Sequence, residues 1–306
     1  MGGCSSTPKQ PVSVSEVAIH VRTDMHIYTP ENGEVSSWSK LMVAIDSADI
    51  VLLGELHDHA VGHAVQLAVV VDVMDTYPQS VLALEMLERD EQLLVDDFME
   101  SVIDAKAFAS KTHSNNWGGV GSWAAWYQPI IDAVKDRGGS VVAANAPRRY
   151  VRLAGARGYA RLDALPNERR VFVDYPKHLS SGRYRQRFWE LGSQDDSGEK
   201  AEIDVSTIDP NDPKLPAFRS MQVWDATMAQ SVVSARPSIS NKVLLLVGQF
   251  HVEYDGGIVQ EIRARMPGAS IVVVSVQREI PDEDWMGNST KGNRPPIADF
   301  MIVENK

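Results

Sequence analysis

The chain has 306 residues, 43% of them hydrophobic and 23% charged, with a formal net charge of −11. That composition belongs to a globular chain with room for one large or two smaller domains. The acidic balance argues against a nucleic-acid partner. No apolar run approaches the roughly 18 residues of a membrane-spanning helix, and the single cysteine excludes an internal disulfide or a cysteine-based zinc site.

Residues 1–16 read as a flexible tether. Met1-Gly2-Gly3-Cys4-Ser5-Ser6 is open to three readings. Cys4 is the lipid-bearing residue of a bacterial lipobox remnant, or Gly2 opens a myristoylation signal, or the segment is a plain polar tail. No apolar stretch precedes Cys4, so a signal peptide would lie upstream of this start. Residues 17–35 carry short β-like segments around a turn at Asn32-Gly33, and 37–48 form an amphipathic helix.

From residue 50 strands and helices alternate. The apolar runs predict strands at 50–54, 80–86, 140–145, 243–248 and 270–276. Helical patterns fall at 58–76, 90–108, 122–137, 217–235 and 257–266. Strands that are apolar throughout, separated by helices, predict an α/β fold. Its mostly parallel central sheet is flanked by helices on both faces. Residues 147–240 interrupt the alternation. The Arg- and aromatic-rich part, 147–191, predicts a helical insertion over the carboxyl end of the strands. The acidic, Pro-rich part, 192–216, predicts a loop. One domain then spans 17–290, and the extension 291–306 offers an added edge strand at 298–304.

Two strings carry the chemistry, Gly54-Glu55-Leu56-His57 and Gly248-Gln249-Phe250-His251. Each follows a β-branched or Leu-rich run, so each reads as a strand end that projects a histidine into the crevice where parallel strands converge. Glu55 and His57 fall on the same side of an extended segment, and a carboxylate directly after apolar strand residues is costly to bury alone. Glu85 ends a second apolar strand, and lies beside Glu55 if the two strands are neighbours. Glu55, His57, Glu85 and His251 form the candidate catalytic set. They suit either a divalent metal or water activation without one.

His59 and His63 share a helix face and read as ordinary helix-start histidines. Asn145 is placed to cap a helix beginning near Pro147. Arg148 then stands at the crevice mouth as an anion-binding group, or is a solvated helix-start arginine. Tyr175, His178 and Tyr184, with Phe188 and Trp189, read either as packing for the insertion or as haem-ligand chemistry. The chain lacks His-Glu-x-x-His, Gly-x-Ser-x-Gly and Walker strings.

Five ordered motifs together resemble the ChaN family of iron-regulated, haem-binding lipoproteins of Gram-negative bacteria. They are Gly54 to Gln66, Leu84-Glu85, Ala144 to Arg148, Trp224 to Ala229 and Val247 to His251. That family belongs to a wider group with the Tiki proteases and erythromycin esterases. The resemblance implies haem held between two subunits, with a tyrosine on the iron and a histidine on a propionate. Tyr184 is the first candidate for the iron ligand and Tyr175 the second. His178, assisted by Arg183, is the propionate candidate. It also implies a lipid anchor on Cys4, a place at the outer membrane or its periplasmic side, and an outer-membrane haem or siderophore uptake system as partner. In the wider group the Glu/His set is a catalytic or metal site, which makes a hydrolase the alternative function.

Overall fold

A computed structural model describes residues 13–18, 20–191, 208–235, 241–281, 285–287 and 294–304. Cys4 and most of the 192–216 loop lie outside the described residues. The strands are β1 (His26–Thr29), β2 (Glu34–Val35), β3 (Ile50–Glu55), β4 (Val81–Glu88), β5 (Ser140–Asn145), β6 (Val243–Gly248), β7 (Ile271–Gln277) and β8 (Phe300–Val303). The helices up to the insertion are α1 (Val14–Val17), α2 (Val21–Asp24), α3 (Trp38–Ser47), α4 (Ala60–Thr76), α5 (Gln92–Met99), α6 (Ala105–Lys111) and α7 (Gln128–Asp136). They are followed by α8 (Arg148–Arg157), α9 (Ala160–Asp163), α10 (Asn167–Arg170), α11 (Gly182–Glu190), α12 (Leu215–Ala235) and α13 (Gly257–Arg265).

One eight-stranded sheet runs β2-β1-β8-β7-β3-β6-β4-β5. From β8 to β5 every neighbouring pair is parallel. β1 pairs antiparallel with both β8 and β2. The strand alternation sorts the core into two layers. Val51, Leu53, Leu82, Leu84, Leu244 and Leu246 pack beneath α4 and α7. Ile50, Leu52, Val81, Ala83, Leu245 and Val247 pack beneath α12 and α13. Both faces are apolar because both are covered, which is why these strands read as continuous hydrophobic runs.

Three expectations shift. The last strand is not at an edge: β8 sits between β7 and β1. The N-terminal hairpin of β1 and β2, joined by a turn with Gly33 at φ 73°, continues the sheet beyond it. Val14–Val17 and Val21–Asp24 form short helices, so the β-like segments begin only at His26, and Val14 is fully buried. The 90–108 helix is broken into α5 and α6, with Ser101 between them at φ 64°.

The insertion folds as α8 to α11 and packs through two small aromatic clusters. Tyr184, Phe188, Trp189 and Phe218 form one of them, with Phe250 from the end of β6 against it. α11 is therefore anchored directly over the carboxyl end of the sheet. A buried ion pair adds to the anchor: Arg187 donates to Glu253 at 2.9 Å, and Glu253 also accepts from Ser275 and Gln277, each at 2.6 Å.

Candidate functional site

β3 and β6 end together, with Glu55 in register with Gly248. β6 lies between β3 and β4, so Glu55 and Glu85 are not on neighbouring strands. Side-chain alternation then separates them further. Glu55 continues the Val51/Leu53 side toward α4, whereas Glu85 continues the Val81/Ala83 side toward α12. The two carboxylates approach the end of β6 from opposite faces.

Glu55 is buried and fully engaged. Its Oε1 accepts from the Tyr127 hydroxyl at 2.6 Å and meets His57 Nδ1 at 2.8 Å. Its Oε2 accepts from the Gln66 amide at 2.7 Å, with His63 Nδ1 at 3.5 Å. Burial is the strongest single influence on Glu55 and favours its neutral form. His63, His57 and Tyr127 together outweigh it and hold the pKa at about 2. For His57 burial likewise acts first and lowers the pKa. The bond to Glu55 and the charges of Glu85, Glu55 and Asp58 reverse this and raise it to about 9. At neutral pH the pair is a carboxylate with an imidazolium. Tyr127, pushed up by burial and then by Glu55, stays a neutral donor.

A second carboxylate–histidine pair faces the first. His251 Nδ1 lies 2.6 Å from Asp225 Oδ1, and His251 Nε2 lies 3.7 Å from Glu85 Oε1. Burial lowers the His251 pKa, but Asp225 and then Glu85 outweigh it, and the net shift is upward. Glu85 Oε2 accepts the Gly248 N–H at 2.6 Å. Gly248 is the hub of this arrangement. A Cβ there would lie 3.1 Å from His57 Nε2 and 3.4 Å from Glu85 Oε2. Glu85 thus lies by the turn after β6, which carries His251 and stands close to the His57 ring. At the rim, the Trp117 ring stands edge-on to His57 at 5.9 Å. Arg148 covers that ring at 4.7 Å and pairs with Glu88 at 3.1 Å.

The structure therefore brings Glu55, His57, Glu85 and His251 to one crevice and puts Arg148 at its edge. The metal reading finds no support: among the described residues no group of three or more His, Cys, Asp or Glu side chains is placed to hold a metal ion. Both Glu55 oxygens are already committed to protein partners. Asn145 does not cap α8, whose N-cap is Pro147. Its amide instead donates to the Glu85 carbonyl at 2.9 Å. His59 and His63 are both buried, and His63 is hydrogen-bonded to Gln66 at 3.0 Å and to the His57 carbonyl at 3.2 Å.

The candidates in the insertion separate into two places. Tyr175 and His178 line a groove of about 780 Å³ between the α10–α11 connection and α13, together with Arg170, Lys177, Gln260 and Arg265. The Tyr175 hydroxyl donates to Asp163 at 2.6 Å, its ring stacks on Tyr159 at 4.7 Å, and Arg170 lies 5.1 Å from the ring. Tyr184 is not in this groove. It is fully buried, and its hydroxyl donates to Asp225 at 2.6 Å, which leaves no face open to a bound iron. Arg183 turns away to pair with Glu190 at 2.7 Å.

The sequence does not single out Tyr127, and Gln66 and Asp225 stand only inside the motifs Gly54 to Gln66 and Trp224 to Ala229, with no role assigned. All are buried polar groups on helical segments, and Asp225 sits among Val223, Ala226, Met228 and Ala229, all fully buried. An aspartate on an otherwise apolar helix stripe was the available signal, since such a charge needs a partner.

Fold and crevice define an α/β protein with a parallel sheet and two carboxylate-backed histidines facing a third carboxylate at the strand ends. A sequence model for the family described as "Haem-binding uptake, Tiki superfamily, ChaN" matches residues 41–262, and the chain belongs to that family. The fold is similar to that of ChaN of Campylobacter jejuni, whose structure is described as showing cofacial heme binding. The TM-score is 0.63 at 19% identity, over 93% of this chain and 98% of that one. An erythromycin esterase mutant, EreC, in its open conformation aligns at a TM-score of 0.45 and 12% identity, over 92% of this chain and 83% of that one. The protein RETICULATA-RELATED 5, chloroplastic, of Arabidopsis thaliana is 24% identical over 275 residues, 86% of this chain. The chain spans only 34% of that relative's length.

Proposed function

We propose that this protein binds haem in the groove lined by Tyr175 and His178. The observation that carries the reading is that groove itself. It falls within the roughly 300–1,000 Å³ range of cofactor sites and presents a half-exposed phenol beside a histidine and cations. Tyr175 is the axial-ligand candidate. Asp163 accepts a hydrogen bond from its hydroxyl and, with burial, raises its pKa, so the group stays a phenol until iron takes the proton's place. His178, Arg170, Lys177 and Arg265 are placed to hold propionates. Bound there, haem would supply an iron centre for uptake. On the same reading Cys4 carries a lipid that holds the protein at the outer membrane or its periplasmic side. A second copy covers the exposed groove, and an outer-membrane uptake system delivers or receives the haem. Haemin titration followed at the Soret band tests the binding. Haemin uptake no greater than that of a Tyr175→Phe, His178→Ala protein would sink it.

The crevice supports a second reading, hydrolysis of an ester or peptide. The specific observation is Glu85 flanked by two histidines that are each backed by a buried carboxylate. Glu85 is placed to take a proton from an attacking water, and the His57 imidazolium to stabilise the oxyanion that forms. Turnover of p-nitrophenyl acetate by the native chain, compared with Glu85→Gln, tests it. Equal rates would remove the reading.

A further inference from the structure

The crevice has a residue to which neither the strand-end strings nor the motif that contains it, Trp224 to Ala229, assigns a role. Asp225 is completely buried on α12, on the far side of His251 from Glu85. Its two oxygens are both used. Oδ1 meets His251 Nδ1 at 2.6 Å. Oδ2 accepts from the Tyr184 hydroxyl at 2.6 Å and from the Gln222 amide at 2.9 Å. The first turn of α13 lies against the same carboxylate: a Cβ on Gly257 would come within 2.0 Å of Oδ2. A helix amino end favours a negative charge placed there, and only glycine leaves the space.

A buried carboxylate with so many donors is expensive to build unless its charge is used. Its one remaining partner is His251, and the geometry of that contact is specific. An imidazole that donates from Nδ1 presents its Nε2 on the opposite side, and here the opposite side holds Glu85. The backing acid of a catalytic histidine acts in this way, by fixing ring orientation and tautomer rather than by touching substrate. Tyr184 and Gln222 hold the backing acid in turn. Gln222 also accepts from the Ser180 N–H at 2.6 Å, so the hold extends to the chain that lines the groove.

We propose that Asp225 is the positioning residue of the crevice, locking His251 with Nδ1 toward itself and Nε2 toward Glu85, and that Tyr184 belongs to this lock rather than to an iron site. The proposal rests on the reading of the crevice as a reactive site. It accounts for the complete burial of Tyr184. It also accounts for the close approach of Gly257, which has no role in the groove.

The test reads the His251 ring by ¹⁵N NMR on full-length protein labelled at histidine, with the signals assigned by His251→Gln. In the native chain the Nδ1-bound proton should be visible and slow to exchange with water. Asp225→Asn should abolish that signature, and Asp225→Glu should restore it in part. Should Asp225→Asn fail to fold, Tyr184→Phe serves instead. It removes one donor to Asp225 and should speed exchange of the His251 Nδ1 proton about tenfold. Native-like His251 ring signals in folded Asp225→Asn, or native exchange in Tyr184→Phe, would overturn the proposal. p-Nitrophenyl acetate turnover on the same samples keeps the two readings apart. A native chain without turnover but with a locked ring removes hydrolysis of that ester and leaves the lock standing. A chain with turnover that Asp225→Asn does not lower, or with a freely tumbling ring, removes the lock.

Discussion

Glu55 Oε1 and His57 Nδ1 lie 2.8 Å apart although the two residues leave the sheet in different environments, the carboxylate buried and the imidazole partly open. A histidine two residues past the strand end folds back onto the acid that ends the strand. This one contact ties stability, charge state and crevice geometry together.

The pair makes folding stability depend on pH in both directions. Glu55 is held at about 2, below its ordinary value near 4.5, so its contribution is present above pH 4.5 and lost as pH falls toward 2. His57 is held at about 9, above its ordinary 6.5, so its contribution is full below pH 6.5 and lost as pH rises through 9. Urea midpoints measured from pH 3 to 10 should therefore peak between pH 4.5 and 6.5. Glu55→Gln should flatten both limbs.

Gly248→Ala asks how closely the crevice is packed. The backbone there, φ −53° and ψ 130°, accepts any residue, so the chain should fold. The new methyl contacts His57 Nε2 at 3.1 Å and must displace the ring. Midpoint stability should change by about 1–3 kcal/mol, whereas the His57 pKa, followed by NMR, should move back toward 6.5. A His57 titration unchanged from the native one would count against Gly248 as the hub.

Arg187 anchors the insertion. Removing it as Arg187→Met leaves Glu253, fully buried, without its cation. Breaking such a pair from one side costs about 3–5 kcal/mol. The Glu253 carboxyl, already raised first by burial, still accepts from Ser275 and Gln277, which places the expected loss at the lower end of that range. Chemical denaturation gives the number directly, and a loss below 1 kcal/mol would contradict the anchor.

Asp163→Asn separates the two tyrosines. It removes the carboxylate charge that holds the proton on Tyr175 and leaves Tyr184 untouched. The phenolate then forms more readily and haemin affinity should rise, with the crevice residues unaffected as judged by His57 and His251 NMR signals. A change in affinity on Tyr184→Phe that matched that of Asp163→Asn would return Tyr184 to the haem site.

Much of this was legible in the sequence. The apolar runs gave the five central strands within a residue or two, because strands covered on both faces carry no polar interruption. Glu55, His57, Glu85 and His251 were legible as strand-end residues, since chain direction alone sends them to one side of the sheet. What lay beyond reach was pairing across distance. Nothing local says that β8 takes β1 as a neighbour some 270 residues away, or that β6 inserts between β3 and β4. Tyr184 reads as a free phenol until α12 is laid beside it and Asp225 accepts its hydrogen bond. Spacing along one helix cannot report a partner on another.

The central claim is haem binding through Tyr175, and haemin titration of the native chain beside Tyr175→Phe tests it most directly. The account predicts a saturable Soret shift in the native protein, lost or weakened at least tenfold in the variant while Tyr184→Phe behaves as native. A native chain that gives no Soret shift, or a Tyr175→Phe protein that binds haemin as tightly as the native one, would contradict it.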